Sequence, residues 1–130
     1  MFNKNDKIEY STHDIDLNVN VSNCVFCKVV SGQLPSQLMH SDDDFVIIKD
    51  IQPRAPLHYL AIPRAHFATL LHASESDAIV VGKMQKKIAE IKASLQLKDY
   101  RLIVNQGKGA GQSVWHYHMH ILGGKEFGDF

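Results

Sequence analysis

The sequence predicts an α+β domain in which an antiparallel sheet of five short strands packs with one long helix and one or two short ones. Three observations carry that prediction. Residues 113–122 alternate polar and apolar side chains, with Trp115, Tyr117, Met119 and Ile121 set between His116, His118 and His120, the period of a strand. Val81, Met84, Ile88, Ile91 and Leu95 recur at three and four residues, the period of a helix with one apolar face. Short β-branched runs bounded by prolines, glycines or aspartates supply the other strands.

In chain order, residues 1–23 are mostly polar, with a weak alternation at Ile15, Leu17, Val19 and Val21, and read as a partly ordered N-terminal arm before a domain over residues 24–130. Residues 24–31 hold one or two helical turns, closed by Gly32 and followed by Pro35. A short strand over residues 37–40, a turn at Asp42, Asp43 and Asp44, and a β-branched strand over residues 45–50 come next. Pro53 and Pro56 have no N–H to give a sheet, so the third strand starts after them, over residues 57–62, and closes at Pro63. A short helix or turn falls between Arg64 and Ala73. Ser74, with Asp77 three residues on, opens the long helix, whose other faces carry Lys83, Lys86, Lys87, Glu90 and Lys92. Residues 100–105 form the fourth strand, and Gly107, Gly109 and Gly111 make a tight loop before the histidine strand.

At 130 residues the chain forms one domain with a core of its own. Its formal net charge is zero, from 14 basic and 14 acidic residues, which argues against nucleic acid as a partner. The first residues lack the apolar core of a signal peptide, and no stretch approaches the ~20 apolar residues of a membrane span. The expected setting is therefore the cytoplasm, with no membrane partner. There Cys24 and Cys27, a single CxxC, suggest metal or redox chemistry before a structural disulfide.

Same-face side chains on a strand stand about 6.6 Å apart, which separates His116 from His120 by about 13 Å, so one ion cannot bind all three histidines. A central imidazole between two others suits a nucleophile or base whose neighbour fixes its tautomer or meets an anion. A pair such as His116 and His118 would alternatively chelate zinc. The glycine loop brings backbone close to the same end of the sheet, where N–H groups can form a phosphate nest; Asn105, Gln112 and Ser113 add neutral polar groups. The CxxC admits a redox pair, two buried thiols, or a zinc site completed from His40, His58, His66, His72 and His116.

The run His116-Tyr117-His118-Met119-His120-Ile121-Leu122 resembles the signature of the histidine triad (HIT) superfamily. Cys24-Val25-Phe26-Cys27-Lys28, the block from Asp50 to His58, Ile62-Pro63-Arg64-Ala65-His66 and Gly111-Gln112-Ser113-Val114 resemble its successive blocks, in order, over residues 24–124. Ser113 and the Leu122-Gly123-Gly124 tail are more similar to the Hint branch of purine nucleoside phosphoramidases than to the dinucleoside-polyphosphate hydrolases.

That resemblance implies a HIT fold and a nucleotidyl-histidine mechanism. His118 would attack the α-phosphorus of a nucleoside phosphoramidate or acyl-adenylate, His120 would contact the phosphate, His58 would orient the nucleophile and Ser113 would assist the departing amine. Asp50 would hold the ribose, with Ile51 lining the same pocket. Asn105, Gly111 and Gln112 would surround the phosphate, and Val25, Phe26, Val29 and Ile48 would form a purine slot. The resemblance also implies a structural zinc on Cys24, Cys27, His66 and His116, and a homodimer. A dinucleoside-polyphosphate hydrolase and a non-catalytic purine-nucleotide-binding protein are the competing functions.

Overall fold

The computed structural model describes residues 20–130, so the alternation at Ile15, Leu17 and Val19 and most of the N-terminal arm lie outside the described residues. The first helix, α1, is Val25–Val30; Cys24 caps it, its Sγ accepting from the Cys27 N–H at 3.3 Å, and Gly32 leaves it in the left-handed region at φ 82°. Strands β1 (Leu38–Ser41) and β2 (Phe45–Lys49) are joined through Asp42, whose Oδ1 accepts from the N–H groups of Asp44 at 2.8 Å and Phe45 at 2.9 Å. An aspartate that satisfies its own turn in this way makes a tight reversal. Strand β3 is Leu57–Pro63. A short 3₁₀ turn at Leu70–His72 precedes α2, Glu75–Ile91, where the Ser74 hydroxyl accepts from the Asp77 N–H at 3.1 Å, as the spacing predicts. Strands β4 (Tyr100–Ile103) and β5 (Met119–Gly123) complete an antiparallel sheet in the order β1-β2-β3-β5-β4.

The sheet separates two apolar layers. On one face Ile47, Tyr59, Ala61, Met119 and Ile121 pack with Val81, Met84 and Ile88 of α2. On the other, Val46, Ile48, Leu60 and Ile62 pack with Val29 and Phe26 of α1. Alternate residues of β2 and β3 thus serve different layers, which is why β2 reads as a continuous apolar run. In register, Leu60 lies opposite His120 and His58 opposite Leu122, so both histidines lie on the α1 face.

Strand ends shift from the sequence expectation by one or two residues, and three differences are larger. The connection between β4 and β5 is no tight hairpin, because residues 104–118 intervene and Lys108–Ala110 form a 3₁₀ turn within it. The last strand starts at Met119, since the main chain just before it is bonded elsewhere: the Tyr117 N–H donates to the Phe67 carbonyl at 2.8 Å, and the His116 carbonyl accepts from a side chain. Leu95 falls beyond the long helix. A turn in which the Leu97 N–H donates to the Lys92 carbonyl at 2.8 Å, with Gln96 left-handed at φ 62°, swings Leu95 and Leu97 back into the core.

Candidate active site and metal cluster

His118 lies on the approach to β5, buried beneath α1. Its Nδ1 is 2.8 Å from the main-chain oxygen of His116. A carbonyl only accepts, so the proton is on Nδ1 and the lone pair is on Nε2. Phe26 meets the ring edge-on at 4.9 Å between centroids, and the His120 ring is 5.3 Å away. Burial holds the His118 pKa below the ordinary histidine range, outweighing its hydrogen bond to His116 and the charge of Asp50. The result is a neutral, oriented imidazole.

His58, Asp50 and His120 form a chain of contacts beside it. The Arg54 N–H donates to His58 Nδ1 at 3.0 Å, which places the proton of a neutral His58 on Nε2. That nitrogen faces His120 Nδ1 at 2.9 Å and Asp50 Oδ2 at 3.3 Å. His120 therefore accepts through Nδ1 and carries its own proton on Nε2. Burial, with His118 and His58 alongside, brings the His120 pKa down to about 4. Although the three ligand-type atoms of Asp50, His58 and His120 converge, His58 cannot offer a lone pair there without losing its proton, so this group is a hydrogen-bonded relay and not a metal site.

The second cluster has the opposite tautomer logic. His116 Nε2 lies 2.7 Å from the Pro63 carbonyl, so its proton is there and its Nδ1 lone pair is free. That Nδ1 is 3.3 Å from Cys24 Sγ, 3.5 Å from Cys27 Sγ and 3.2 Å from His66 Nδ1, while Cys27 Sγ is 3.3 Å from His66 Nδ1. A tetrahedral zinc with two sulfur and two nitrogen ligands has donor–donor edges of roughly 3.3–3.8 Å, so this set of atoms fits zinc. Burial, and then the adjoining Cys24 sulfur, push the Cys27 thiol up to about 12, and burial brings His116 down to about 4. A bound cation reverses the cysteine shift, because a coordinating thiol is deprotonated. The four residues come from the cap and first turn of α1, the segment after β3 and the loop before β5, which the cluster ties together.

The glycine loop is held from within. Gln112, only 5% exposed, accepts from the Gly107 N–H at 2.9 Å and donates to the Ala68 and Val114 carbonyls at 2.8 and 3.0 Å. The N–H groups of Ala110, Gly111 and Gln112 are also spent inside the loop, on Gly107 and Lys108 carbonyls. The loop is thus a braced support more than an open phosphate nest, with Gly107 at φ 100° and Gly111 at φ 93° making its turns. Ser113 is exposed, and Asn105 is half-buried. Ile51 stands 94% exposed next to Asp50. Of the expected purine slot, Phe26 faces His118 and Val25 is exposed, whereas Val29 and Ile48 are buried in the layer under α1. Sequence reasoning missed Arg54, Pro63, Phe67 and Ala68, whose contributions are main-chain groups that leave no side-chain signal.

This geometry agrees with what the chain is similar to. A family model described as "Scavenger mRNA decapping enzyme C-term binding" matches residues 23–129. The chain is 43% identical over 104 residues to Protein HitA of Neisseria gonorrhoeae, covering 79% of this chain and 97% of that protein. A histidine triad protein from Clostridium difficile superposes with a TM-score of 0.80 at 31% identity, covering 86% of this chain and 99% of that one. The chain belongs to the histidine triad superfamily. A further histidine triad family protein, from Mycobacterium smegmatis and described as zinc-bound, superposes with a TM-score of 0.72 at 29% identity, covering 83% of this chain and 79% of that one. Among the described residues of this histidine triad chain, no helix is long and apolar enough to cross a membrane.

Proposed function

We propose that this histidine triad protein is a nucleotide hydrolase that cleaves purine nucleoside phosphoramidates or acyl-adenylates and releases the nucleoside monophosphate. The observation that carries the reading is the bare Nε2 of His118, held by the His116 carbonyl on its other nitrogen. A neutral imidazole with one fixed lone pair is a nucleophile at neutral pH and a good leaving group once it bears phosphorus. A HIT family hydrolase from Clostridium thermocellum, 41% identical with a TM-score of 0.79, supports the hydrolase class.

In the first step a bond forms from His118 Nε2 to the α-phosphorus and the P–N bond breaks, with the amine taking a proton from solvent by way of the exposed Ser113 hydroxyl as it leaves. For an acyl-adenylate the bond broken is P–O. The His118 ring gains positive charge while its Nδ1–H stays on the His116 carbonyl. Water then attacks the phosphorus and gives up a proton to solvent, the P–Nε2 bond breaks, and neutral His118 returns. His120 offers its Nε2–H to the phosphoryl oxygens, and Ser113 assists the departing amine. Asp50 takes the ribose hydroxyls with Ile51 beside it, and Phe26, Val25, Val29 and Ile48 supply the apolar setting for the purine. Asn105 and Gly111 border the phosphate, and Gln112 serves it by bracing the loop.

Cys24, Cys27, His66 and His116 would hold one zinc ion, which supplies a closed structural crosslink and no open coordination position for chemistry. The homodimer belongs to the same proposal and is checked by the mass of the purified protein in solution. The function itself is tested by comparing kcat/KM for an adenosine phosphoramidate with that for diadenosine tetraphosphate. A higher value for the phosphoramidate is expected. A higher value for the polyphosphate overturns the substrate class, and AMP binding without turnover of either overturns the enzyme.

A further inference from the structure

We propose that Asp50, apart from any contact with ribose, is a positioning residue that, together with the Arg54 N–H, holds the proton on His58 Nε2 and thereby makes His120 present an N–H to the phosphate. The inference rests on the hydrolase reading above and deepens it. Asp50 and His58 are tied twice: the Asp50 N–H donates to the His58 carbonyl at 3.0 Å, and Asp50 Oδ2 lies 3.3 Å from His58 Nε2. The other carboxylate oxygen accepts from the Gln52 N–H at 2.8 Å, at the start of the proline-containing turn. The carboxylate is thus aimed at the histidine before any substrate arrives.

Two hydrogen bonds leave the ring little choice. Nδ1 of His58 accepts from the Arg54 N–H at 3.0 Å, and Nε2 faces two acceptors, Asp50 Oδ2 and His120 Nδ1 at 2.9 Å. A proton on Nε2 makes the hydrogen bond to His120 and faces the Asp50 carboxylate as an electrostatic contact, while Nδ1 stays bare for the Arg54 N–H. It also obliges His120 Nδ1 to accept, which leaves the His120 proton on Nε2. An orienting carboxylate that sets the tautomer of a histidine acts without being protonated itself. Asp50 has a further electrostatic effect, since its charge favours the cationic forms of His58 and His120 beside it.

An asparagine at this position has nearly the same shape but cannot satisfy both contacts. Whichever way its amide is turned, the NH₂ group meets either His58 Nε2–H or the Gln52 N–H, donor against donor.

The test crosses Asp50→Asn with removal of the ribose hydroxyls, measuring kcat and KM separately on adenosine 5′-phosphoramidate and its 2′,3′-dideoxy analogue. The expected result is that Asp50→Asn lowers kcat by roughly ten- to a hundredfold on both substrates, as loss of an orienting partner does. If the variant matches the wild type in kcat on the dideoxy substrate, Asp50 serves ribose alone and the inference is overturned. A second measurement needs no substrate: ¹⁵N spectra of histidine-labelled wild-type protein should show His58 and His120 each protonated at Nε2 and bare at Nδ1, and Asp50→Asn should lose that pattern at one ring or both. The reverse tautomer at either ring of the wild type, or an unchanged pattern in Asp50→Asn, overturns the inference. Should the wild type hydrolyse neither phosphoramidate, the hydrolase reading fails, and the spectra still decide the role of Asp50.

Discussion

The Nδ1–H of His118 donates to the main-chain carbonyl of His116 at 2.8 Å, while the His116 ring donates from Nε2 to the Pro63 carbonyl at 2.7 Å and turns Nδ1 toward two cysteines and His66. One residue therefore does two things with different atoms. Its backbone orients His118, the proposed nucleophile, and its side chain belongs to the cluster of two cysteines and two histidines that fits a metal. Alternating histidines close in sequence thus lie in separate clusters.

Replacing the nucleophile tests that division. His118→Asn keeps a side-chain N–H for the His116 carbonyl and removes the nucleophilic nitrogen. Turnover of adenosine phosphoramidate should fall by roughly 10⁴-fold or more, the scale of losing a nucleophile, while AMP affinity by calorimetry stays close to that of the wild type. Retained turnover would assign the chemistry to another group.

His116→Ala should act differently. It removes a donor from a closed four-ligand set, so metal analysis should find about one zinc per chain in the wild type and much less in the variant. The melting temperature should fall by roughly 10 °C or more, given the stabilisation a tightly bound ligand supplies to a domain of this size. A wild-type protein purified without metal and melting as the chelated protein does would contradict the zinc assignment.

The histidine pKa values give a pH dependence with a definite sign. His120 is brought down to about 4 and His58 and His118 are also lowered, in each case chiefly by burial. All three are neutral near pH 7, and His118 must be neutral to attack. Activity should hold below the ordinary histidine value of about 6.5 and fall only as pH drops through the lowered values. Stability follows the same direction, because the unfolded chain binds these protons near pH 6.5 while the folded chain does not, so stability is present above that pH and declines as pH falls toward 4. Measured kcat/KM and melting temperature between pH 4.5 and 8, about two units to the acid side of the ordinary histidine pKa and more than one to the other, check both limbs. An acid limb centred at or above the ordinary value would refute the burial argument.

Gln112 braces the glycine loop through three hydrogen bonds, to Gly107, Ala68 and Val114. Gln112→Ala leaves a part-buried N–H and two carbonyls without those partners, at a cost of about 1–3 kcal/mol. Denaturant melts should show that loss, and kcat should fall with it. A fully stable and active variant would show that the loop holds its shape unaided.

Much of this arrangement was legible in the chain. Ser74 with Asp77 and Gly32 after the CxxC turn follow from local chemistry, and the structure places them as the spacing predicts, whereas the alternation marks a strand only from Met119, with His116 and His118 ahead of it. Convergence of Cys24, Cys27, His66 and His116 was legible only through resemblance, since spacing left five histidines open as partners. Other features depend on tertiary contacts. The start of β5 at Met119 is set by Phe67 and His116 main-chain bonds, which no local period reveals. Gly124, noticed in the sequence as part of a branch-like tail, has a packing reason: at φ 86° a Cβ there would lie 2.9 Å from Pro56 Cβ.

The central claim, covalent catalysis through His118, is tested most directly by stereochemistry at phosphorus. A P-chiral adenosine phosphorothioamidate, hydrolysed in ¹⁸O-labelled water, reports whether one displacement or two occurred. Attack by His118 followed by attack of water inverts twice, so the account predicts net retention. Net inversion would mean that water displaces the amine directly, and would contradict it.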